Sequence, residues 1–510
     1  MSNYVYTRKP RHVMKNVTRH AVVIGSGFGG LAAAIRLGAR GYRTTVLERL
    51  DQPGGRAGVF RQDGFVFDAG PTIVTAPFLF EELWQLCGRR LSDDVELCPL
   101  DMFYRILFDD GGHLDCLADA DAMTREIARI SPDDVDGYER FMHHSRDVFR
   151  IGFEELSGVP FGSLADMARV VPSLVKLGGL RSVHSTVAKY VRHPHLRFAL
   201  SFHPLFVGGD PFSTPSIYCL ISYLERHMGV HFAVGGTGKL VQGMVKLIEG
   251  QGGALRCGSD VKEILVTDGK ATGVRLTSGE VLTSDIVVSD ADAAWTYQTL
   301  LAGTKRRRWT DRKLARSHYS MSLFVWYFGT KRKYRDVAHH TIMLGPRYRE
   351  LTRDIFKRKI LAPDFSLYLH HPTASDPTLA PPGCDTFYVL SPVPHLDGNT
   401  DWTTGAEPYR RAIETRLSET LLPGLEDEII TSRMFTPLDF QNRLLSAKGA
   451  AFGLEPRLTQ SAWFRPHNRS EDVQGLYLVG AGTHPGAGVP GVLSSARVLD
   501  TLIPPAHALR

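Results

Sequence analysis

The sequence is poor in cysteine and contains no long apolar run. Its six cysteines are scattered, with neither a Cys-x-x-Cys pair nor a metal-type spacing with histidine, so the sequence predicts no metal site. Such thiols are typical of a reducing cytoplasm, where we expect this protein to be found. No segment reaches the roughly 18 uninterrupted apolar residues of a membrane span, so any membrane contact is expected to be peripheral.

Strong charge of one sign is missing as well. The formal net charge is +6 over 510 residues, which is too small an excess to indicate a nucleic-acid-binding protein. Hydrophobic residues make up 43% of the chain, which is enough apolar side chain for a folded core. The length predicts two or three lobes rather than one.

The first residues of the chain are basic, and a short apolar run follows them at residues 21–24. Gly25 and Gly27 interrupt this run far short of the apolar core of a signal peptide, so we predict none. Residues 1–20 are then expected to be an extension that precedes the first strand.

A nucleotide-binding motif begins directly after this extension. Residues 21–24 (AVVI) have the unbroken β-branched pattern of a strand buried on both faces of a parallel sheet. Gly25, Gly27 and Gly30 follow with the spacing G-x-G-x-x-G. In such a motif the first glycine permits a tight turn, the second lets the backbone approach a pyrophosphate, and the third lets the helix pack on the strand.

Charged residues continue this motif. Glu48 ends the second predicted strand, about 20 residues further on, where a carboxylate hydrogen-bonds ribose hydroxyls and repels the 2′-phosphate of NADP. Gly55 and Arg56 come soon afterwards. Because glycine lets the backbone approach a ligand and a guanidinium pairs with phosphate oxygens, this stretch favours FAD over NAD. The alternative is that Glu48 and Arg56 are ordinary surface charges.

A second glycine-rich stretch lies near the other end of the chain. Residues 475–480 (GLYLVG) predict a strand that ends in glycine, followed by a glycine-rich loop and a helix from residue 493. The N-terminus of such a helix can face a flavin, whose reduced ring carries negative charge. The chain is therefore expected to leave the cofactor domain and return to it.

With these two motifs the sequence resembles the bacterial and fungal phytoene desaturases, within the amine-oxidase-like flavoproteins. The resemblance covers nearly the whole chain, and residues 476–492 (LYLVGAGTHPGAGVPGV) look like the C-terminal signature of that family. Further matching stretches are residues 202–212 (FHPLFVGGDPF), 235–238 (GGTG), 322–329 (SLFVWYFG), 339–341 (HHT) and 460–468 (QSAWFRPHN).

The resemblance implies an α/β fold with a discontinuous Rossmann-type FAD-binding domain, an inserted α+β substrate domain and a helical, membrane-facing subdomain. It implies that FAD contacts Gly25, Gly27, Gly30, Glu48, Gly55, Arg56, Val261, Gly480, Gly491 and Val492. Val261 would meet the adenine through its backbone, and its alternative is a plain core valine.

The expected domain boundaries follow from the resemblance and from the periodicity of the middle of the chain. Residues 131–230 have helical apolar spacing, and residues 322–328 and 366–370 have the pattern of strands. The predicted parts are the extension 1–20, FAD-binding parts 21–130, 231–300 and 456–510, the helical membrane-associating region 131–230, and the substrate domain 301–455.

The function implied by the resemblance is FAD-dependent desaturation of a carotenoid precursor. The enzyme would introduce successive double bonds into 15-cis-phytoene, giving neurosporene, lycopene or both. Its partners would be carotenes, a membrane lipid surface, and oxygen or a quinone as electron acceptor. The location implied is the cytoplasmic side of the inner membrane, and the sequence leaves a homo-oligomer open.

The proton-accepting residue is weakly indicated. Asp166 and Arg169 are three residues apart in an apolar stretch that predicts a helix, so their side chains share one face. A buried carboxylate there would need a partner, which makes Asp166 the acid/base candidate and Arg169 its partner. The alternative is an ordinary ion pair on a helix surface.

Several other functions fit the same motifs. A related carotenoid flavoenzyme could be a hydroxycarotenoid desaturase, a C30 diapophytoene desaturase, an isomerase or a ketolase. An amine oxidase is disfavoured because the last cysteine is Cys384, far from the C-terminal motif where FAD is often attached. A non-catalytic isoprenoid-binding protein is the rival from another class, and a flavin spectrum would distinguish it.

Overall fold

The computed structural model describes residues 19–509, so residues 1–18 of the predicted extension lie outside the described part of the chain. The strands are β1 (His20–Ile24), β2 (Arg43–Leu47), β3 (Val59–Gln62), β4 (Phe65–Asp68), β5 (Leu97–Pro99), β6 (Met102–Leu107), β7 (His113–Leu117), β8 (His231–Ala233), β9 (Ala254–Arg256), β10 (Val261–Thr267), β11 (Lys270–Leu276), β12 (Val281–Thr283), β13 (Ile286–Ser289), β14 (Ser322–Thr330), β15 (His340–Met343), β16 (Leu367–His370), β17 (Asp385–Val393), β18 (Ile429–Phe435) and β19 (Leu476–Leu478).

The helices are most concentrated in the middle of the chain, between β7 and β8. They are α1 (Phe28–Ala39), α2 (Pro77–Leu86), α3 (Ala120–Ile130), α4 (Val135–Phe149), α5 (Leu164–Lys176), α6 (Val183–Val187), α7 (Pro194–Ala199), α8 (Leu220–Met228), α9 (Gly238–Gly250), α10 (Ala293–Trp295), α11 (Asp311–Arg316), α12 (Tyr348–Arg353), α13 (Trp402–Glu419), α14 (Leu425–Glu428), α15 (Pro437–Asn442) and α16 (Val489–Leu502).

A five-stranded parallel sheet with the order β19-β13-β1-β2-β9 forms the first lobe. Its strands come from parts of the chain that are hundreds of residues apart, as the discontinuous Rossmann-type prediction requires. β1 is central and buried on both faces: Ala21 and Val23 pack in one apolar cluster with α1, whereas Val22 and Ile24 pack in another beneath β10 and β11. The unbroken apolar run of β1 follows from this double burial.

A seven-stranded mixed sheet with the order β18-β14-β17-β16-β15-β6-β7 forms the second lobe. β14 is buried on both faces, with Phe324 and Trp326 packed against α13 and Leu323 and Val325 on the opposite side. β6 and β7 also belong to this sheet, because β6 pairs with β15 in parallel. The segment predicted as the first FAD-binding part thus contributes two strands to the other lobe.

The region between β7 and β8 is helical, as its apolar spacing predicts, and contains α3 to α8. Among residues 19–509, none of the helices combines the length and the apolar character needed to cross a bilayer. The domain boundaries drawn from the sequence remain predictions.

Candidate functional site

One large cavity of about 880 Å³ lies between the two sheets and the helical region. Nine of the ten predicted cofactor residues line it, namely Gly25, Gly27, Glu48, Gly55, Arg56, Val261, Gly480, Gly491 and Val492. The tenth, Gly30, lies behind the glycine turn, where an added Cβ atom would collide with the carbonyl oxygen of Gly25. Gly30 thus has the packing role of the third glycine in the motif.

The turn between β1 and α1 is shaped by glycine. Gly25 has a φ of 92°, in the left-handed region that favours glycine. Gly27 is the N-cap of α1, and a Cβ atom there would lie 2.5 Å from Asp290 Oδ2. The turn therefore presents bare backbone and a helix N-terminus to the cavity, which is the usual cradle for a pyrophosphate.

Glu48 lies in the cavity wall at the end of β2, almost completely buried. Its carboxylate accepts hydrogen bonds from Ser26 N at 3.1 Å, Ser26 Oγ at 2.6 Å and Leu50 N at 2.9 Å. These donors fix its orientation, and a carboxylate has about four acceptor positions, so capacity remains for a ribose hydroxyl. The position fits the ribose-binding role predicted for Glu48.

Arg56 projects into the same end of the cavity from a short 3₁₀ turn. Its Nη2 atom donates to Ser446 Oγ at 2.9 Å, while its Nε atom is buried without a hydrogen-bond partner. Burial lowers the pKa of Arg56 from its ordinary value, and Asp292 and Asp290 act in the opposite direction. A buried guanidinium with a free donor is what a bound phosphate group would satisfy.

The C-terminal loop closes this end of the cavity. Gly488 is the N-cap of α16, and the first turn of that helix, through Gly491 and Val492, lines the cavity. The helix N-terminus carries partial positive charge, which suits a flavin ring that becomes anionic on reduction.

Two buried side chains hold the C-terminal loop in place. Asn468 Nδ2 donates to the carbonyl oxygens of His484 at 2.9 Å and Ser495 at 3.3 Å. Arg465 Nη2 donates to the carbonyl oxygens of Leu454 and Ala481, both at 3.0 Å. Arg465 and Asn468 belong to the stretch 460–468 that resembles the family, but no sequence pattern indicates that they hold this loop.

The opposite end of the cavity is apolar and aromatic. It is lined by Phe206, Leu323, Val325, Ile342, Tyr368 and Tyr388, among others. The few polar groups there satisfy one another, since Thr72 Oγ1 lies 2.9 Å from Tyr368 Oη and 3.1 Å from Tyr388 Oη. A ligand held here is recognised through apolar area rather than through charge.

Three buried histidines lie behind this aromatic wall. The ring nitrogens of His339, His340 and His370 are within 4.8 Å of one another, and Tyr368 Oη lies 2.8 Å from His340 Nδ1. Burial lowers the pKa of His339 to about 3 and those of His340 and His370 well below their ordinary value, so all three rings are neutral. The sequence could not indicate this group, because only the pairing of β15 with β16 places His340 opposite His370.

Asp166 and Arg169 lie near the start of α5. Asp166 Oδ2 accepts hydrogen bonds from Ser163 N at 2.9 Å and Ser163 Oγ at 2.8 Å, and Oδ1 lies 3.5 Å from Arg169 Nη1. The side chain of Arg169 is 78% exposed, and the hydrogen bond from Ser163 holds the pKa of Asp166 below its ordinary value. α5 lines the cavity through Met167, Val170 and Val171 rather than through this pair.

The chain matches the flavin-containing amine oxidoreductase family over residues 28–498. This match confirms the expected flavin cofactor, FAD, and the class of redox enzyme.

Known proteins similar to this chain narrow the family further. It is 52% identical to "Phytoene desaturase (neurosporene-forming)" of Rhodobacter capsulatus, across 95% of this chain and 94% of that protein. It is 50% identical to "Phytoene desaturase (lycopene-forming)" of Pseudescherichia vulneris, across 95% of this chain and 99% of that protein.

A solved structure shows the same fold at low sequence identity. An oxidoreductase from Methanosarcina mazei superposes with a TM-score of 0.64 at 19% identity, covering 94% of this chain and 99% of that one. The chain therefore belongs to the flavin-containing amine oxidoreductase family and, within it, to the bacterial carotenoid desaturases.

Proposed function

We propose that this protein is an FAD-dependent phytoene desaturase that introduces successive double bonds into 15-cis-phytoene. The curated relatives named above support this assignment, and they include enzymes named neurosporene-forming and lycopene-forming at nearly equal identity. The proposal therefore covers both products.

The observation that carries the proposal is the division of one cavity into two chemically different ends. One end has the glycine turn, Glu48 and Arg56, which suit a nucleotide, and the other is walled by residues such as Phe206 and Tyr388. A hydrocarbon offers no polar handle, so an enzyme that oxidises it has to bind it through apolar area beside the redox group.

The division of labour in the reaction follows from this arrangement. FAD, held by the glycine turn, Glu48 and Arg56, would supply the hydride-accepting chemistry that removal of hydrogen from a C–C bond needs. The protein orients both molecules and excludes water. It also places the N-terminus of α16 at the nucleotide end of the cavity, where the helix favours negative charge. Asp166 remains the proposed acceptor of the proton from the neighbouring carbon; because it does not line the cavity, it would act through a relaying water rather than by direct contact.

The test is to incubate the purified, flavin-loaded protein with liposomes that contain 15-cis-phytoene and to separate the pigments by chromatography. We expect coloured carotenes with more double bonds than phytoene, and their proportions identify neurosporene, lycopene or both as the product. Unchanged phytoene in the presence of oxygen or a quinone would contradict the proposal. One reaction with oxygen and no quinone, and a second reaction with a soluble quinone and no oxygen, identify the electron acceptor.

We also propose that the rim of the cavity rests on a membrane, because its substrate dissolves in lipid. Four large apolar side chains that line the cavity are exposed to solvent, which is the expected form of a lipid-docking surface. They are Val171, Leu180, Leu458 and Phe464, and Leu180 is 76% exposed. The location proposed is thus the cytoplasmic face of the inner membrane.

Liposome binding tests the rim separately from the chemistry. Replacing Leu180 and Phe464 by aspartate should lower liposome partition by roughly tenfold or more, because each exposed apolar side chain that enters lipid contributes about 1 kcal/mol. FAD content should not change. The matched control is Leu86→Asp, since Leu86 is also exposed but does not line the cavity. Equal partition of the rim variant and the control would contradict the membrane assignment.

A further inference from the structure

Asp290 places a carboxyl group beside the N-terminus of α1, in the part of the cavity that fits a pyrophosphate. It directly follows β13, and its backbone N–H donates to the carbonyl oxygen of Ile24 at 2.8 Å. A Cβ atom at Gly27 would lie 2.5 Å from Asp290 Oδ2, so the carboxyl group touches the glycine turn. α1 has no acidic residue in its first turn and no side-chain N-cap, so Asp290 supplies the acidic group at this helix end.

Burial, the N–H groups of the glycine turn and two charged side chains together determine the pKa of Asp290. Burial is the largest influence and raises the pKa of Asp290 to about 7. The N–H groups of the glycine turn and the Arg56 guanidinium lower this pKa, whereas Glu48 raises it. The nearby Asp292 is engaged elsewhere, because its Oδ1 atom accepts from Ala294 N at 2.9 Å and Trp295 N at 3.2 Å, at the start of α10.

A pyrophosphate bound at this helix end would add negative charge next to Asp290. Two like charges in a site shielded from water cannot both be stable, so the carboxyl group becomes harder to ionise. A protonated carboxyl group can also donate a hydrogen bond to a phosphate oxygen, whereas a carboxylate can only accept. The protonation state of Asp290 would then depend on whether the cofactor is bound.

We propose that Asp290 is protonated in the FAD complex, so that FAD binding takes up a proton and Asp290 determines how cofactor affinity depends on pH. The proton passes from solvent to the Asp290 carboxylate, and no bond of FAD changes. This proposal rests on FAD binding at the glycine turn, as the proposed function does.

The experiment uses the full-length protein freed of FAD and titrated with FAD from about pH 6 to about pH 9. Below about pH 7 the dissociation constant should be constant, because Asp290 is already protonated. Above that pH it should rise by about tenfold per pH unit, the dependence expected for one proton taken up. Asp290→Asn should remove this dependence and bind FAD about tenfold more tightly than wild type at about pH 8.

Asp68→Asn is the matched control. Burial raises the pKa of Asp68 to about 6, but this residue does not line the cavity, so its variant should keep the pH dependence of the wild-type protein. A dissociation constant of the wild-type protein that does not change with pH, or an equal slope in Asp290→Asn, would overturn the proposal.

Proton uptake can also be measured without any variant. Calorimetric titration of the wild-type protein in two buffers of different ionisation enthalpy gives the number of protons taken up at about pH 8. We expect a value close to one, and a value near zero would refute the role of Asp290. Failure to bind FAD at any pH would contradict the proposed function instead.

Discussion

The two ends of the cavity are built on different physical principles. At the nucleotide end, Glu48 and Arg56 are held by hydrogen bonds, and a single added carbon at Gly27 would collide with Asp290. At the apolar end, side chains such as Phe206 and Val325 offer apolar contact area but no directional hydrogen bonds. Single substitutions at the nucleotide end should therefore cause large losses of FAD affinity. Substitutions at the apolar end should lower substrate affinity in proportion to the apolar contact area that is lost.

The strongest test of this difference is Gly27→Val. The new side chain would collide with Asp290 and occupy the space through which a pyrophosphate approaches the backbone. We expect the variant to purify without flavin, with FAD affinity lowered by about a hundredfold or more. Gly250→Ala is the control, because an added Cβ atom there meets nothing within 4 Å, so this variant should remain yellow. Flavin at wild-type occupancy in Gly27→Val would refute the cofactor site.

Asp166→Asn tests the proposed proton acceptor, which lines neither end of the cavity. If Asp166 accepts the proton, turnover per bound flavin should fall by roughly a hundredfold, because general-base assistance is lost. FAD content should stay the same, since Asp166 does not line the cavity. Turnover within a few-fold of wild type would remove Asp166 from the mechanism. That result would leave it as the partner of Ser163 at the start of α5.

A smaller effect is expected from Arg56→Gln, which keeps a donor but removes the charge. The buried guanidinium with its free Nε atom should contribute about 1.5 to 3 kcal/mol to binding of a phosphate group, so FAD affinity should fall by about tenfold to a hundredfold. Arg61→Gln is the control, because Arg61 is exposed and does not line the cavity. Unchanged FAD affinity in Arg56→Gln would show that the two ends differ less than we infer.

The smallest effect should come from the apolar end. Phe206 is half-buried in the cavity wall, so Phe206→Ala should cost about 1 kcal/mol of substrate binding, or about fivefold in kcat/KM for phytoene. FAD content and the flavin spectrum should not change. Loss of flavin from this variant would contradict the claim that the apolar end does not contribute to FAD binding.

The nucleotide end could be predicted from sequence because its parts are local. The spacing of Gly25, Gly27 and Gly30 encodes one turn and the start of one helix, and Glu48 follows at the end of the next strand. Backbone conformation dictates these residues whatever the rest of the chain does, so a short pattern is enough to find them.

Residues brought together by distant pairings could not be predicted. Asp290 reaches the glycine turn only because β13 lies beside β1, and the histidine group forms only where β15 pairs with β16. β6 joins the second sheet through β15, more than two hundred residues away. No local sequence pattern indicates such pairings. Burial in the folded protein then raises the pKa of Asp290 and lowers the pKa values of the three histidines.

The placement of β19 and α16 has a consequence for how the enzyme is made in the cell. Gly480 and Gly491 complete the cavity, yet β19 and α16 are made long after the strands and turn that carry Gly25 and Arg56. A ribosome that has made the first four hundred residues carries a polypeptide that still lacks part of the flavin pocket. We therefore expect stable flavin binding only after α16 has been made, and a chain that stops before α16 should be degraded faster than the full chain.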